Sequence, residues 1–422
     1  MIVEKHISIE GNHKLSGEIN VKGAKNAVLK EMILPILAEG KYLLKNVPLI
    51  DDVEYMQDVL KVLGINSNFK NDSLEIVSPS TIGVEAPYEI VQKMRASIII
   101  LGPLLARCGE ARIAFPGGDQ LGPRPVQMHL DALEKMGANF ELDHGVLIGK
   151  TDGLNGVEIN LPYASVGATE NTLLAAVLAK GRTVIENAAR EPEIVDIVNM
   201  LLKMGANISG AGTSEIIIEG VDKLNPTDHE IIGDRIAAGT FLAAILSTKG
   251  SGKVNGINPE HLPMELKKFG EMGAIIDSTE TSINIEYRDN LQSIELSTLP
   301  FPGIATDLQP IFGSALLLAE GTSILTENVY DQRFQWIPEA QRMGANIQTG
   351  WQHAMIKGVK TLSGAPVHAT DIRTGASLVI AALQADGLST ITGIDHINRG
   401  YEDIVASLTS LGSTIEYNDK HG

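Results

Sequence analysis

Charged and polar residues recur at one position of a repeated sequence pattern, 14 to 16 residues before a glycine. In chain order they are Lys25 and Asn26, Arg95, Ser165, Asp234 and Arg235, Asp307, and then Asp371 and Arg373. Serine and aspartate at such positions are good helix N-caps, each contributing about 1 kcal/mol. Lysine and arginine do not cap, and a cation at a helix N-terminus opposes the helix dipole. We therefore predict that these cations meet an anion, together with the free N–H groups of the helix ends.

A second stretch whose residues could take part in a reaction is FPGGDQLGPRP, residues 115–125. Its glycines and prolines are typical of a loop. One acid, Asp119, and one base, Arg124, lie inside it. The residue types alone leave two interpretations open, a surface turn or a mobile loop that carries chemistry.

The elements that must position these residues repeat six times along the chain. A phrase such as MGAN recurs with its glycine at 64, 137, 205, 273, 344 and 412, and a second phrase has its glycine at 40, 109, 181, 250, 321 and 387. Two independent markers that keep one period of about 70 residues indicate a repeat architecture. Two domains of three repeats account for six buried helices economically. A solenoid is the alternative, but it predicts polar capping repeats at the ends, which the sequence lacks.

Each repeat is predicted to contain a buried helix, a strand, an amphipathic helix and a hairpin. Segments such as TLLAAVLA are apolar all round, which indicates a helix buried on all sides. Segments such as VQMHLDALEKMG have apolar residues every three or four positions and end at a glycine that suits the C′ position. Alternating segments such as FELDHGVLIG predict the hairpin strands.

Composition excludes several function classes. The net charge of −18 argues against nucleic acid or an anionic membrane surface as a partner. The one cysteine, Cys108, allows no intrachain disulfide and is predicted to lie in the core. The N-terminus has no signal-peptide pattern and the longest apolar run is nine residues, so we expect a cytoplasmic protein. The histidines show no metal-ligand spacing, and no nucleotide-loop or serine-hydrolase motif occurs.

At this point the sequence resembles a known family, the enolpyruvyl transferases, and more closely the UDP-N-acetylglucosamine 1-carboxyvinyltransferases. The matching motifs occur in family order over the full length of the chain. They are LSGEINVKGAKNA (15–27), MRASIIILGPLLAR (94–107), PGGDQLGPRPVQMH (116–129), SVGATENTLLAA (165–176), IENAAREPEIVD (185–196), TDLQP (306–310), DQRF (331–334), ATDIRTGASL (369–378) and HINRGYE (396–402).

The resemblance implies an inside-out α/β barrel, which has two domains of three repeats each and buried central helices. It implies that residues 25–232 form the first domain, which carries the mobile loop 115–125. Residues 1–24 and 233–422 are expected to form the second domain, and the active site is expected in the cleft between the two.

The family reaction transfers the enolpyruvyl group of phosphoenolpyruvate to the 3′-hydroxyl of UDP-N-acetylglucosamine through a tetrahedral ketal, and releases phosphate. The resemblance implies catalytic roles for Lys25, Asp119, Asp307 and Arg399, with Asp307 as the base for the hydroxyl. The substrate-binding residues that it implies are Lys25, Asn26, Arg95, Arg124, Pro125, Val126, Gln127, Met128, Ser165, Val166, Gly167, Asp307, Val329, Arg333, Asp371, Arg373 and Arg399. It implies no metal and no organic cofactor, it gives the two substrates as the partners, and it leaves the oligomeric state open.

The sequence departs from the family pattern most clearly at Asp119. Most members have cysteine after PGG, and that thiol is the general acid, whereas Asp119 follows the pattern of a minority. An aspartate has an ordinary pKa of about 3.9, so its pKa must rise by about 3 for proton donation near pH 7. Loop closure over an anionic substrate would raise the pKa of Asp119, and the neighbouring Arg124 and Lys25 would lower it. Fosfomycin, an epoxide that alkylates the family's thiol, is therefore expected not to inactivate this protein.

Smaller departures concern the nucleotide end of the expected site. Tyr163 and Ala164 stand where a lysine often precedes SVG, Gln127 replaces a common acid, and Lys30 replaces a common proline.

Two other functions remain as alternatives. One is the sister reaction on shikimate 3-phosphate, against which the Lys25–Asn26 pair and the PGG loop argue. The other is a nucleotide-sugar-binding paralogue without catalysis, which would be expected to lose some of the site residues.

Overall fold

The computed structural model describes residues 5–92, 94–114 and 126–419. Within them the strands are β1 (Lys5–Glu10), β2 (Ser16–Asn20), β3 (Gly40–Lys45), β4 (Asn66–Lys70), β5 (Ser73–Ser78), β6 (Glu85–Ala86), β7 (Glu110–Ala114), β8 (Asn139–Asp143), β9 (Val146–Lys150), β10 (Glu158–Asn160), β11 (Arg182–Glu186), β12 (Asn207–Ser209), β13 (Glu215–Glu219), β14 (Asp228–Glu230), β15 (Ser251–Asn255), β16 (Ala274–Thr279), β17 (Ser282–Tyr287), β18 (Glu295–Ser297), β19 (Thr322–Thr326), β20 (Asn346–Gly350), β21 (His353–Lys357), β22 (Pro366–His368), β23 (Leu388–Thr392) and β24 (Thr414–Asp419).

The α-helices of the same residues alternate with these strands. They are α1 (Lys25–Glu31), α2 (Asp51–Val62), α3 (Tyr88–Val91), α4 (Leu101–Cys108), α5 (Gln127–Lys135), α6 (Val166–Ala176), α7 (Pro192–Lys203), α8 (Arg235–Ser247), α9 (Pro263–Glu271), α10 (Gln309–Ala315), α11 (Trp336–Arg342), α12 (Ile372–Gln384), α13 (Ile394–Asn398) and α14 (Ile404–Ser410). Short 3-10 helices span Leu34–Ile36, Arg95–Ile100, Pro259–His261 and Thr306–Leu308. No helix in the described ranges is both long and apolar enough to cross a membrane.

The strands of the described residues form six four-stranded sheets, one for each sequence repeat. In the repeat that contains α6 and α7, the sheet order is β10-β11-β13-β12. The short strand β10 pairs in parallel with β11, and the hairpin of β12 and β13 completes the sheet in antiparallel fashion. The sequence predicted the hairpin but not the short parallel strand before each buried helix.

The chain divides into two compact units, and three sheets are completed by strands that are distant in sequence. The first unit contains residues 23–92, 94–114 and 126–232, and the second contains 5–22 and 233–419. In the first unit, β14, which follows the third repeat, pairs with β3 and is the fourth strand of the first repeat's sheet. In the second unit, β1 pairs with β23 and β24, and β2 pairs with β15. Within the described residues the chain therefore passes between the units twice, after Lys22 and after Ile232.

Buried helices lie at the centre of each unit, which confirms the predicted fold class. In the second unit α8, α10 and α12 pack on one another, and α8 and α12 also pack on the central strands of their own sheets. In the first unit α4 and α6 pack together and contact the central strands of their sheets in the same way. Each unit has its own continuous apolar core.

The glycines that end the amphipathic helices adopt the left-handed conformation that the sequence predicted. Their φ angles range from 83° at Gly64 to 104° at Gly137. An L-residue with a side chain rarely adopts this conformation, whereas glycine does so without a steric penalty. This backbone requirement explains why glycine marks the same position in every repeat.

The packing of α10 depends on a close contact between a glycine and a tryptophan. Trp336 is fully buried, and a Cβ placed on Gly313 would lie 2.3 Å from its Cζ2 atom. The indole Nε1 also donates to Oε1 of Gln309, at 3.3 Å. Glycine inside a helix costs about 1 kcal/mol relative to alanine, and here that cost permits the indole to lie against the helix. The helix that follows Asp307 is thereby fixed at its first and middle turns.

The prediction that Cys108 lies in the core is wrong. Cys108 is the last residue of α4 and is exposed. The apolar side of α4 buries Leu101, Leu104 and Leu105 one turn earlier. The chain then reverses at Gly109, which has a φ of 72°, so the side chain before it faces outward.

Candidate functional site

Asp307 is held by two arginines in the second unit. It lies in the 3-10 helix Thr306–Leu308, and its Oδ1 atom accepts a hydrogen bond from Nη2 of Arg333. Its Oδ2 atom accepts from Nη2 of Arg373 at 2.9 Å and from Nε at 3.1 Å. The two arginine side chains are 3% and 5% exposed, whereas that of Asp307 is 26% exposed. The ionised carboxylate of Asp307 is therefore partly exposed to solvent, while the two arginine cations that bind it are buried.

The interpretation of Asp307 as a helix N-cap is wrong, because Ala305 occupies that position and makes no side-chain capping bond. Three other residues do cap as predicted. Ser165 accepts from the N–H of Ala168, Asp234 from those of Ile236 and Ala237, and Asp371 from those of Arg373 and Thr374.

Arg373 is fixed by a directed chain of hydrogen bonds. Its Nη1 atom donates to the Tyr401 hydroxyl at 3.2 Å, and that hydroxyl lies 2.8 Å from Oγ1 of Thr240. Because the Thr240 hydroxyl donates to the carbonyl of Ile236 at 2.8 Å, Tyr401 must donate to Thr240. Burial alone would lower the pKa of Arg373, but Asp307, Tyr401 and Asp234 together outweigh it and the pKa is raised. Arg373 therefore stays positively charged, and its hydrogen bond to Tyr401 fixes the orientation of its guanidinium group.

Tyr401→Phe removes the acceptor of Arg373 and the donor to Thr240 while keeping the ring. We expect a stability loss of about 1–3 kcal/mol from the unsatisfied buried groups and a several-fold lower kcat, since Arg373 would hold Asp307 less firmly. The matched control is Thr240→Val, which removes the hydroxyl's acceptor but leaves the Arg373–Tyr401 bond. If the two variants lose equal stability and equal kcat, Tyr401 has a structural role only.

A buried glutamate, Glu327, organises the segment on the other side of Asp307. Its Oε1 atom accepts from the N–H groups of Val329 and Tyr330 at 2.8 and 3.0 Å, and from the hydroxyls of Thr298 and Thr306 at 2.9 and 3.0 Å. Glu327 is 1% exposed. The sequence analysis missed it, although the phrase TEN at 326–328 matches IEN at 185–187 in an earlier repeat. Glu327 therefore links Val329, after β19, to Thr306, the residue before Asp307.

Arg399 is half-buried directly after α13, two residues before Tyr401. Asp371 binds backbone N–H groups through Oδ1, and its Oδ2 accepts from the Thr374 hydroxyl. The second unit thus brings together Asp307, Arg333 and Arg373 by direct contact.

In the first unit, the lysine at the start of α1 has a carboxylate partner. The Nζ atom of Lys25 lies 2.7 Å from Oδ2 of Asp52, which belongs to the first turn of α2. Both residues are buried. The predicted anion at this helix end is therefore a protein carboxylate, as it is for Arg373, and no ligand is needed to stabilise the two cations in the fold. The neighbouring Asn26 is half-buried, and its carbonyl accepts from Nζ of Lys30 at 2.7 Å.

The helix start at Ser165, Val166 and Gly167 lies against a histidine. A Cβ on Gly167 would lie 3.0 Å from Cε1 of His129. Asn171 bonds the Nδ1 atom of that histidine at 3.1 Å with its Nδ2 atom, and its Oδ1 atom accepts from the N–H of Gly102 at 2.7 Å. The amide group of Asn171 thus makes Nδ1 of His129 an acceptor, which leaves the proton on Nε2. His129 was not predicted as a site residue from the sequence, where it is the last residue of the motif PGGDQLGPRPVQMH.

The remaining expected contacts lie at the start of α5, at the start of a 3-10 helix, or outside the described residues. Val126 is the buried N-cap residue of α5, Met128 is half-buried, and Gln127 is exposed and donates to Asp131 at 2.7 Å. Arg95 begins a 3-10 helix, and its side chain is not described. Asp119, Arg124 and Pro125 lie outside the described residues.

Lys30 compensates a buried acid on the neighbouring central helix. Its Nζ atom lies 3.3 Å from Oε1 of Glu170, which is 1% exposed. Burial raises the pKa of Glu170 to about 7, with further contributions from Glu191 and Glu193, although Lys30 lowers it. The lysine that replaces the common proline therefore pairs with an acid inside α6.

Glu170→Gln is expected to change the pH dependence of stability. Because folding raises the pKa of Glu170 from 4.5 to about 7, the folded state binds more protons between these values. This contribution is fully present below pH 4.5 and is lost as pH rises through 7. Relative to the glutamine variant, the wild type should lose roughly 2–3 kcal/mol of unfolding free energy from pH 5 to pH 8, measured by urea denaturation. For the control Glu215→Gln, at an exposed site, the unfolding free energy should vary with pH as it does in the wild type. The same pH dependence in Glu170→Gln would contradict the raised pKa of Glu170.

Comparison with known proteins places these features in one class. The sequence model of the family described as EPSP synthase (3-phosphoshikimate 1-carboxyvinyltransferase) matches residues 9–408. The crystal structure of the enolpyruvyl transferase NikO from Streptomyces tendae matches 99% of this chain and 100% of its own with a TM-score of 0.89 at 23% identity. EPSP synthase from Acinetobacter baumannii covers 98% of this chain and 100% of its own with a TM-score of 0.77 at 21% identity. These structures share the fold.

The curated relatives are more similar in sequence. The UDP-N-acetylglucosamine 1-carboxyvinyltransferase of Corynebacterium jeikeium is 46% identical over 408 residues, 97% of this chain and 98% of the relative. The protein of the same name from Thermotoga maritima is 45% identical over 414 residues, 98% of each chain. The chain therefore belongs to the enolpyruvyl transferase family, in the branch of the UDP-N-acetylglucosamine 1-carboxyvinyltransferases, and is an enzyme.

Proposed function

We propose that this enzyme transfers the enolpyruvyl group of phosphoenolpyruvate to the 3′-hydroxyl of UDP-N-acetylglucosamine and releases phosphate. The reaction belongs to peptidoglycan synthesis and takes place in the cytoplasm. The names of relatives 44–46% identical over nearly the whole chain support the substrates. The structural observation that carries the proposal is the partly exposed Asp307 carboxylate on two buried arginines.

Asp307 is the proposed base for the sugar hydroxyl. Addition to the double bond requires a group that accepts the hydroxyl proton as the new C–O bond forms. The buried Arg333 and Arg373 favour the charged form of the carboxylate, so Asp307 enters the reaction able to accept a proton. They also fix the carboxylate in one direction, as a positioned base requires.

Lys25, Arg124 and Arg399 are proposed to bind phosphoenolpyruvate. Its phosphate and carboxylate carry several negative charges, which the net charge of −18 of the protein would otherwise repel. The pairing of Lys25 with Asp52 holds the ammonium group in place before the substrate arrives. A preset cation loses less side-chain entropy on binding than a free surface lysine.

The nucleotide sugar is proposed to be bound by the remaining residues. The start of α6 at Ser165, Val166 and Gly167 offers N–H groups to the diphosphate. Asn26, Asp307 and Val329 contact the sugar, and Arg124 to Met128 line the uridine. Arg95, Arg333, Asp371 and Arg373 complete the set. Tyr163 is exposed at the position of the common lysine, so the diphosphate depends more on the helix start here.

Asp119 is the proposed acid that protonates the methylene carbon of phosphoenolpyruvate. A carboxylate is a far weaker nucleophile toward an epoxide than a thiolate, so the enzyme is proposed to be insensitive to fosfomycin. The protonated form of Asp119 requires a closed, desolvated loop and an anionic neighbour, both of which raise a carboxyl pKa.

One assay separates this proposal from its alternatives. Phosphate release from phosphoenolpyruvate is measured with UDP-N-acetylglucosamine and, separately, with shikimate 3-phosphate. We expect release with the nucleotide sugar only. Release with shikimate 3-phosphate alone would favour the sister reaction. Release with neither, alongside binding of the nucleotide sugar, would favour a paralogue without catalysis.

A further inference from the structure

Three buried side chains converge in the first unit, none of which is assigned to the reaction. Glu31 ends α1, Asp196 lies in α7 and His229 lies in β14, and their ligand atoms all lie within 4.8 Å of one another. The Nε2 atom of His229 is 2.9 Å from Oδ1 of Asp196 and 3.6 Å from Oε1 of Glu31. The three residues are 0%, 3% and 5% exposed. Their positions are 165 and 33 residues apart, so sequence spacing does not reveal the cluster.

Glu31 is the member that the protein itself does not satisfy. No hydrogen-bond donor among the described residues reaches either of its carboxylate oxygens. Asp196, in contrast, accepts from His229 and also from the N–H of Ile232 at 3.0 Å. A buried carboxylate without donors is strongly unfavourable unless a cation or a metal ion compensates it. Burial raises the pKa of Glu31, and the charges of Lys30 and Lys203 lower it, but neither ammonium group hydrogen-bonds to its oxygens. Glu31 thus points to a missing positive partner in direct contact with it.

The distances from Nε2 of His229 to the two carboxylate oxygens suit a small divalent cation. Tetrahedral zinc with bonds of about 2.05 Å separates its ligand atoms by about 3.3 Å. The observed separations of 2.9 and 3.6 Å lie on either side of that value. Two carboxylates and a neutral imidazole also balance the charge of a divalent ion. The N–H of Ile232 holds the second oxygen of Asp196, as outer hydrogen bonds orient metal ligands.

We propose that Oε1 of Glu31, Oδ1 of Asp196 and Nε2 of His229 bind one divalent transition-metal ion, with zinc the best match. The ion replaces the proton on Nε2, which moves to Nδ1 of the same ring. Lys203, whose Nζ atom lies 3.2 Å from Nδ1, then turns away, as its exposed position permits. The ion ties α1, α7 and β14 together, and its role is structural.

The test measures metal on the purified enzyme and does not depend on activity. After dialysis against metal-free buffer, mass spectrometry should find about one zinc ion per wild-type chain. Treatment with a strong chelator should lower the melting temperature, and added Zn²⁺ should restore it more fully than Mg²⁺. Glu31→Gln keeps the side-chain volume and removes an anionic ligand, so it should retain no zinc and ignore the chelator.

Glu230→Gln is the matched control, because Glu230 is the exposed neighbour of His229; it should behave as the wild type does. The wild-type measurement alone decides the proposal if a variant does not fold. A metal-free wild type whose melting temperature changes with neither chelator nor Zn²⁺ would overturn it. The cluster would then be a hydrogen-bonded network in which Glu31 is protonated and donates to Asp196.

Discussion

Asp307→Asn is expected to lower kcat for phosphate release by about 10²–10⁴-fold, the usual contribution of a general base. The amide cannot accept the proton of the sugar 3′-hydroxyl, although it has nearly the shape of the carboxylate. The KM for UDP-N-acetylglucosamine should change much less, because the amide oxygen still accepts hydrogen bonds. Initial rates over a range of nucleotide-sugar concentrations separate the two quantities.

A loss of folding must be distinguished from a loss of the base. Removing the charge of Asp307 leaves Arg333 and Arg373 buried with a weaker partner, and breaking a buried ion pair costs about 3–5 kcal/mol. Asp307→Glu keeps the charge but moves the oxygens by one methylene, so it should remain stable and still lose most of kcat. Asp277→Asn, at an exposed position of the same unit, should be neutral. Substantial turnover by a folded Asp307→Asn enzyme would exclude Asp307 as the base.

The features that the sequence predicted well are those with a local physical cause. The repeat glycines were recognisable because a left-handed helix end selects glycine wherever the chain must turn. The buried helices were recognisable because they are apolar on all faces. Both signals lie within about 15 residues, so neither needs knowledge of tertiary contacts.

The features that the sequence did not predict depend on pairs that are distant along the chain. Aspartate is a residue type that often caps helices, but Asp307 instead binds Arg333 and Arg373, which lie 26 and 66 residues further along the chain. Glu327 was missed because two of its four donors are backbone N–H groups, which leave no side-chain pattern, and the other two are hydroxyls 29 and 21 residues earlier in the chain. The strand β1 completes the sheet of the last repeat, a pairing that local periodicity does not encode. The resemblance supplied the second-unit membership of this strand.

The response to fosfomycin is expected to differ strongly from that of family members that have cysteine in place of Asp119. The wild type should keep full activity during prolonged incubation with fosfomycin, because no thiolate stands at position 119. Asp119→Cys should retain turnover and become subject to time-dependent inactivation by the epoxide. Peptide mass spectrometry should find the adduct on residue 119. Time-dependent inactivation of the wild type at modest drug concentration would refute the proposal.

The single native thiol provides the necessary control. Cys108 is exposed, so the measurements are made in a Cys108→Ser background, which removes adducts at that site. Asp119→Asn in the same background tests the proton donor directly: an amide keeps the size of the side chain but cannot protonate carbon. We expect kcat to fall by about 10²–10⁴-fold while the nucleotide sugar still binds, since the proposed role of Asp119 is proton transfer to phosphoenolpyruvate. Normal turnover by Asp119→Asn would mean that another group supplies the proton, and the fosfomycin result would then reflect only the absent thiol.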